Sequence, residues 1–441
     1  MAGNAASTSP ERDARAINSH HDDGVHPGEI AIGVIIGRTS EYFDFFVYAI
    51  ASVIVFPQIV FPYLDRLTGT IWSFAIFALA FVARPLGSLI FLAVDRHFGR
   101  GIKLTIALFL LGSSTVAVAF LPNYAQIGWV SAAMLCAFRI GQGIALGGAW
   151  DGLSSLLAMN APENRRGWYA MVPQIGAPLG LIVASGLFAY FLSNLSTADF
   201  LDWGWRYPFF VAFALNVVAL FARLRIVVSP QYEASFDNLE LQPSRVTATI
   251  RSDGWTIIVG AFAPLASFAL FHMVTVFPIS WILLFTHQDL ATFLLVEIGG
   301  AAVCILAMIM SGLLADRFGR RTVLGSSAAA IAVYSGFAPQ LLDMGPIGAA
   351  GFMFVGFILL GVAFGQSSGA VASGFSPQSR YTGSALTSDL AWLFGAGFAP
   401  LAALLLATRV GLIAAGLYLL SGALGTLAAL AINKNLARKP D

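Results

Sequence analysis

Charge is scarce in this sequence. Of 441 residues, 11% are charged and 58% hydrophobic, where a soluble globular chain carries about 25% charged residues. A soluble fold is excluded, and the composition is that of an integral membrane protein. Cysteine is nearly missing. Cys136 and Cys304 both sit in apolar runs, which leaves no disulfide framework and no thiolate metal site. Neither sign of charge dominates, with 24 Lys and Arg against 23 Asp and Glu, so the basic field that nucleic-acid binding needs is absent. HExxH and P-loop patterns are lacking, as is any large polar domain. The chain is therefore not expected to be an enzyme or to carry a cofactor. Residues 1–28 lack an apolar core and are not Arg-rich and acid-poor, so they read as a solvated tail rather than a targeting signal. Nothing fixes the geometry of the HHDDGVH cluster in that tail, and no metal is expected there.

Long hydrophobic runs are what is present. Runs near 20 residues can cross a bilayer as helices, and twelve are found, at 30–56, 69–94, 102–121, 126–157, 168–192, 205–224, 255–285, 290–314, 322–342, 346–371, 382–407 and 410–432. The expected class is an all-α, twelve-helix membrane fold in two six-helix halves. Its divisions are a polar tail 1–28, a first half 29–224, a linker 225–254, a second half 255–432 and a tail 433–441. With the amino terminus inside, 18 Lys and Arg fall in inner segments and only Arg66, Arg206 and Arg409 in outer ones. That bias predicts cytoplasmic termini in a bacterial inner membrane.

The two halves echo each other. DRHFGRGIK (Asp95–Lys103) follows the second run and DRFGRRTVL (Asp316–Leu324) the eighth, the first copy carrying His97 as an extra residue. Arg166-Gly-Trp-Tyr and Arg380-Tyr-Thr-Gly open the fifth run of each half. Glycine permits the sharp turn between neighbouring helices. Two copies about half a chain apart predict a transporter that rocks one half against the other. Asp95, Arg96, Arg100, Asp316, Arg317 and Arg320 are then candidate gating residues.

With these repeats the chain resembles the major facilitator superfamily, and more narrowly the metabolite:proton symporter family. The resemblance rests on SEYFDFFVYAI (Ser40–Ile50), FALAFVARPLGSLIF (Phe77–Phe91), FRIGQGIALGGAW (Phe138–Trp150), NAPENRRGWYAMVPQIGAPLG (Asn160–Gly180), WGWRYPFF (Trp203–Phe210), GLLADRFGRR (Gly312–Arg321) and RYTGSAL (Arg380–Leu386), and it covers residues 30–430. It implies import of a small organic acid or related polar metabolite by alternating access, with a proton as coupling ion. A small-molecule solute and lipid are the implied partners, and a monomer the implied unit. Several family acids are replaced. Ala149, Met159, Val228 and Ser373 stand where acids are usual, and Phe91 stands where glycine is usual. These departures keep an uncoupled facilitator or exchanger open beside the symporter. A transport-inactive membrane sensor is the reading from another class.

Charges inside the bilayer mark function because each costs about 2.5–3.5 kcal/mol on insertion scales. Asp44 lies near the middle of the first run, one turn from Glu41 on the same face. Arg139 in the fourth run lies at compatible depth for pairing with Asp44, and the resemblance implies a proton-coupling pair at these places. Asp44 is the expected proton site and Arg139 its switchable partner. In the alternative, Arg139 binds an anionic solute and Glu41 holds the proton. Arg139 and Asp151 are about 18 Å apart along one helix and cannot pair with each other. Asp151 is assigned to inner arginines or the inner gate, and Arg84, before Pro85, to structure or gating. Arg38 is expected to snorkel to the interface. Gln142, Gln174, His272, Glu297, Gln366 and Asp389 join Arg139 as candidate solute contacts. An imidazole titrates near neutral pH, which suits His272 to solute or proton. Tyr42, Tyr48, Phe271 and Trp392 are candidate cavity walls.

Overall fold

The computed structural model of this chain describes residues 27–149, 157, 161–227 and 242–433, and every regular element among them is helical. Ten helices are long and apolar enough to cross a membrane. Two more complete the set. Pro27–Ile54 carries Arg38, Glu41 and Asp44, and Arg320–Ser335 is only 16 residues long. Among the described residues the spans are thus Pro27–Ile54, Arg66–Phe98, Arg100–Ala119, Val130–Gly148, Arg166–Asn194, Tyr207–Val227, Val246–Phe285, Leu290–Phe318, Arg320–Ser335, Gly345–Val371, Pro377–Arg409 and Ala415–Ile432, here called the first to the twelfth. Asp151 lies outside the described residues.

Packing repeats between the halves. The second span lies on the fourth as the eighth lies on the tenth, and the third on the sixth as the ninth on the twelfth. The first packs on the fifth and sixth, as the seventh does on the eleventh and twelfth. The halves meet where the fifth span lies along the eighth and the second along the eleventh.

The second and eighth spans are also built alike at both ends. Each starts at an aspartate cap, with Asp65 accepting from the Thr68 N–H at 3.0 Å and Asp289 from the Thr292 N–H at 2.8 Å. The Thr68 N–H holds Asp65, and the Thr292 hydroxyl and N–H hold Asp289, below the usual carboxylate range. Each span stops at a glycine with positive φ, 83° at Gly99 and 86° at Gly319. Only glycine takes that conformation without strain, and the next helix starts one residue later. Asp95 and Asp316 therefore both lie beside the turn at one end of the molecule, called here the basic end.

Helix regularity differs between spans. The second runs unbroken through Pro85. The seventh begins at Val246, earlier than the 255 expected from hydropathy, because its first turns carry exposed Arg251 and Ser252. It breaks after Phe262, next to Pro264, and again at Val276, ahead of Pro278. The tenth breaks at Gly365–Gln366. The eleventh contains a π-helical stretch, Trp392–Gly397, a distortion that recurs at functional sites. The fifth tightens to a 3-10 turn at Val172–Ile175.

Glycine brings the second and fourth spans into backbone contact. A Cβ on Gly143 would fall on the carbonyl oxygen and Cα of Ala80, and one on Gly87 on the backbone of Ile144. Gly143→Val is expected to force the two spans apart at a cost of about 1–3 kcal/mol or more. Gly351→Val, where nothing lies within 4 Å, is expected to leave stability unchanged. Thermal denaturation of the two purified variants in detergent compares them directly.

Candidate functional site: an aromatic centre between two halves

The breaks in the second half converge on a box of rings. The Leu265–Thr275 segment carries Phe268, Phe271 and His272, and the π-helical stretch begins at Trp392. The first span supplies Tyr42, Phe45 and Phe46. Tyr42 lies 5.9 Å from Phe271 and 6.1 Å from Trp392, ring to ring. His272 is fully buried and stacks on Phe45 at 5.1 Å. Two cavities of about 20 Å³ each flank Tyr42 and Trp392. One is lined by Glu41 and Arg84, the other by Arg38, Gln174 and Ser388. Each holds about one water and no metabolite. Among the described residues, neither cavity leaves room for a solute in this conformation, and the side chains around Tyr42 and Trp392 have to move for one to bind.

On the first-half side lies a buried polar chain. Arg139 Nη1 donates to Gln142 Oε1 at 3.1 Å, Gln142 Nε2 to Thr115 Oγ1 at 2.8 Å, and the Thr115 hydroxyl to Asp44 Oδ1 at 2.6 Å. Asn216 Nδ2 donates to the second Asp44 oxygen at 3.2 Å and accepts from Ser40. Asp44 and Arg139 therefore do not form the direct pair expected from their depth. Their depth does match, but Gln142 and Thr115 stand between them. Arg139 instead fills its surroundings with the Phe77 carbonyl, at 3.1 Å from Nε, and with the rings of Tyr48, Phe77 and Phe45, at 4.0, 4.7 and 5.6 Å. Its Nη2 has no hydrogen-bond partner, nor has His272 Nε2. Phe45 and Phe77 touch both groups, since His272 also meets the Phe77 ring at 5.4 Å. The arginine of the fourth span and the histidine of the seventh thus share two aromatic rings across the centre.

Glu41 does not stand free to carry a proton alone. Arg38 grips both its oxygens, at 3.1 and 3.0 Å, and Arg223 Nη2 donates to it at 2.9 Å. Arg38 is thus a partner of Glu41 rather than a side chain reaching to the interface. Arg84 pairs with Asp389 at 2.8 Å, a buried bond from the second span to the eleventh. This places both at the seam between halves, although Arg84 also lines a cavity. Gln174 lines the other cavity with Oε1 unpartnered.

Gln366 and Glu297 lie away from the cavities. Gln366 Nε2 donates to the Gly167 carbonyl and to Ser311 Oγ, both at 3.2 Å, so it closes the basic end rather than facing the centre. Glu297 accepts from Ser185 at 2.9 Å, between the eighth and fifth spans. At the basic end Asp316 accepts from the Gly167 and Trp168 N–H groups at 2.6 and 3.2 Å, at the start of the fifth span, where backbone N–H groups are free to bind an anion. Asp95 makes the counterpart contact through Tyr381 and Lys103, at 3.2 and 3.5 Å, with Arg100 at 3.7 Å. Arg96 reaches the Ser244 carbonyl and Arg320 the Gly369 carbonyl. Arg317 is exposed and lies over Phe318, without an inter-half contact among the described residues.

Thr115, Asn216, Arg223 and Ser185 were not singled out by sequence. Asn216 had a signal, as a lone amide in the apolar stretch ALNVVAL. Thr115 had none, because SSTVAV reads as ordinary helix packing.

A family model for sugar (and other) transporters matches residues 30–257. The chain is 34% identical to the inner membrane metabolite transport protein YhjE of Escherichia coli, over 98% of each chain. It belongs to the sugar (and other) transporter family of the major facilitator superfamily. It is also 28% identical to the shikimate transporter of E. coli, over 90% of this chain and 92% of that one. The inward-open xylose transporter XylE from E. coli shares the fold, with a TM-score of 0.69 at 17% identity over 93% and 96% of the two chains. This major facilitator is thus a multi-pass membrane transporter of metabolites, not an enzyme.

In this transporter the Arg84–Asp389 pair gives a direct test of buried charge. Asp389→Asn leaves the guanidinium without its carboxylate, an expected cost of about 3–5 kcal/mol. Arg84→Met combined with Asp389→Leu is expected to recover most of it. Melting curves of the single and double variants decide, and a single variant as stable as the parent would show that the pair contributes nothing.

Proposed function

We propose that this transporter is a proton-coupled importer of a small organic acid or related polar metabolite, set in a bacterial inner membrane with both termini in the cytoplasm. The observation that supports it most is the chain from Arg139 to Asp44. Every donor in it points the same way: guanidinium to amide, amide to hydroxyl, hydroxyl to carboxylate. The cation at one end and the anion at the other polarise such a chain. A proton on Asp44 removes the anion and adds a donor where the Thr115 hydroxyl now points. The chain then has to reorganise, and Arg139, held by rings that also hold His272 of the other half, is released to move or to meet a solute. Solute charge acts on the same arginine, whose unpartnered Nη2 suits a carboxylate. Proton and solute would thus be coupled through Arg139, with Asp44 as carrier.

Its relatives support the solute class, since they include a shikimate transporter and a proline/betaine transporter of E. coli. A D-xylose–proton symporter of the same fold, at 18% identity, supports proton coupling only by analogy. The competing reading, a facilitator without coupling, draws on the missing family acids. Where the family usually has an acid, Ala149 offers only its backbone carbonyl, to Arg223 at 3.0 Å.

Reconstituted protein offered small carboxylates, betaines and amino acids separates the two. One proton per solute is expected to concentrate the solute about tenfold for each unit of pH gradient. Asp44→Asn and Thr115→Val are expected to equilibrate the solute without concentrating it. Gradient-driven accumulation by Asp44→Asn equal to that of the parent would overturn the assignment of the proton to Asp44.

A further inference from the structure

Glu297 is the buried acid that the polar chain does not use. Its side chain is fully enclosed between the eighth and fifth spans, where the two halves meet. One oxygen accepts from Ser185 of the opposite half at 2.9 Å, and the other, Oε1, has no partner. No Lys or Arg is within ion-pair distance of it among the described residues. The elements packed on the eighth span offer little else that carries charge. The fifth span beyond Gly176 has only Tyr190, which is exposed, and Phe277–Phe285 and Gly345–Phe364 have no titratable group. Tyr334 of the ninth span donates its hydroxyl to the Phe352 carbonyl. Arg165, Arg166, Tyr169, Arg320 and Arg321 lie at the basic end, as do Asp316 and Arg317 of its own span. On its own span, Cys304 is two turns further along and Asp289 caps the start.

We propose that Glu297 is a second protonation site, which controls closing of the end opposite the basic one. It lies about 10 Å along the helix from Leu290, so separation of the fifth and eighth spans at that end brings water to it. Closed, the seam takes that water away and supplies one hydroxyl and no cation. A charged carboxylate is unfavourable there and a neutral carboxylic acid is not. Closing therefore takes up a proton at Glu297, and reopening returns it to the same side. By linkage, acid favours the closed seam and alkali opens it. The proton is a condition for closing and is not carried across, which distinguishes Glu297 from Asp44. The inference rests on the alternating opening of a transporter but not on coupling at Asp44.

The test needs no solute. In the full chain with Cys136→Ala and Cys304→Ala, spin labels at Ser193→Cys and His287→Cys, both exposed at that end of the fifth and eighth spans, report the seam by double electron–electron resonance. Between about pH 6 and about pH 9 the closed fraction is expected to fall about threefold or more. Glu297→Gln, which keeps the Ser185 bond and cannot ionise, is expected to stay closed across the range. Glu297→Met, of similar volume, serves as the second non-ionising variant should the first fold poorly. Asp44→Asn is expected to keep the pH response. Either an unresponsive parent or a Glu297→Gln seam that opens with pH as the parent does would overturn the proposal, whatever the uptake assays show for Asp44.

Discussion

A charge inside a bilayer has to be compensated by the protein, because no water is there to do it. The interior of this transporter follows from that constraint. Arg139 is surrounded by a carbonyl, an amide and three rings. Arg84 has Asp389, and Glu41 has Arg38 and Arg223. Asp44 receives two neutral donors instead of a cation. Each group finds partners in this conformation, although Arg139 Nη2 keeps none, and each arrangement involves a neighbour that a movement of helices would displace.

The two halves share a plan and divide the work. Their packing order, aspartate caps and glycine turns repeat. The first half keeps regular helices around its polar chain, while the second breaks its helices at Pro264, Val276, Gly365 and Trp392. Continuous helices hold a hydrogen-bonded chain at fixed spacing. Broken ones let aromatic side chains lean into the centre and reorient. Inter-half bonds cluster at the basic end through Asp316, Gln366 and Tyr381. Toward the opposite end, among the described residues, the seam has the Ser185–Glu297 bond amid apolar side chains.

Much of the fold was readable because hydropathy over a span and the repeated loop, DRHFGR in one half and DRFGR in the other, are local signals. The site was only partly readable. Asp44, Arg139 and Gln142 stand out as polar residues in apolar runs, and they do lie together. Thr115, which joins them, looks like any threonine in a packed helix. Gln366 and Glu297 stand out as strongly as Gln142 does, yet they face seams and not the centre. Rarity in a span signals that a polar residue needs a partner, but not where the partner is.

The sequence by itself determined a twelve-span membrane chain with a repeated half, since length, apolarity and local turn chemistry decide those features residue by residue. It also determined which groups would be costly to bury. Only the tertiary structure decided their pairings: Asp44 with Thr115 and Asn216, Arg84 with Asp389, Glu41 with Arg223. These bonds join residues far apart in the chain, and a rotation of any helix by a fraction of a turn would exchange one partner for another. Depth in the membrane can be counted along a sequence, but the direction a side chain faces is set by the helices around it.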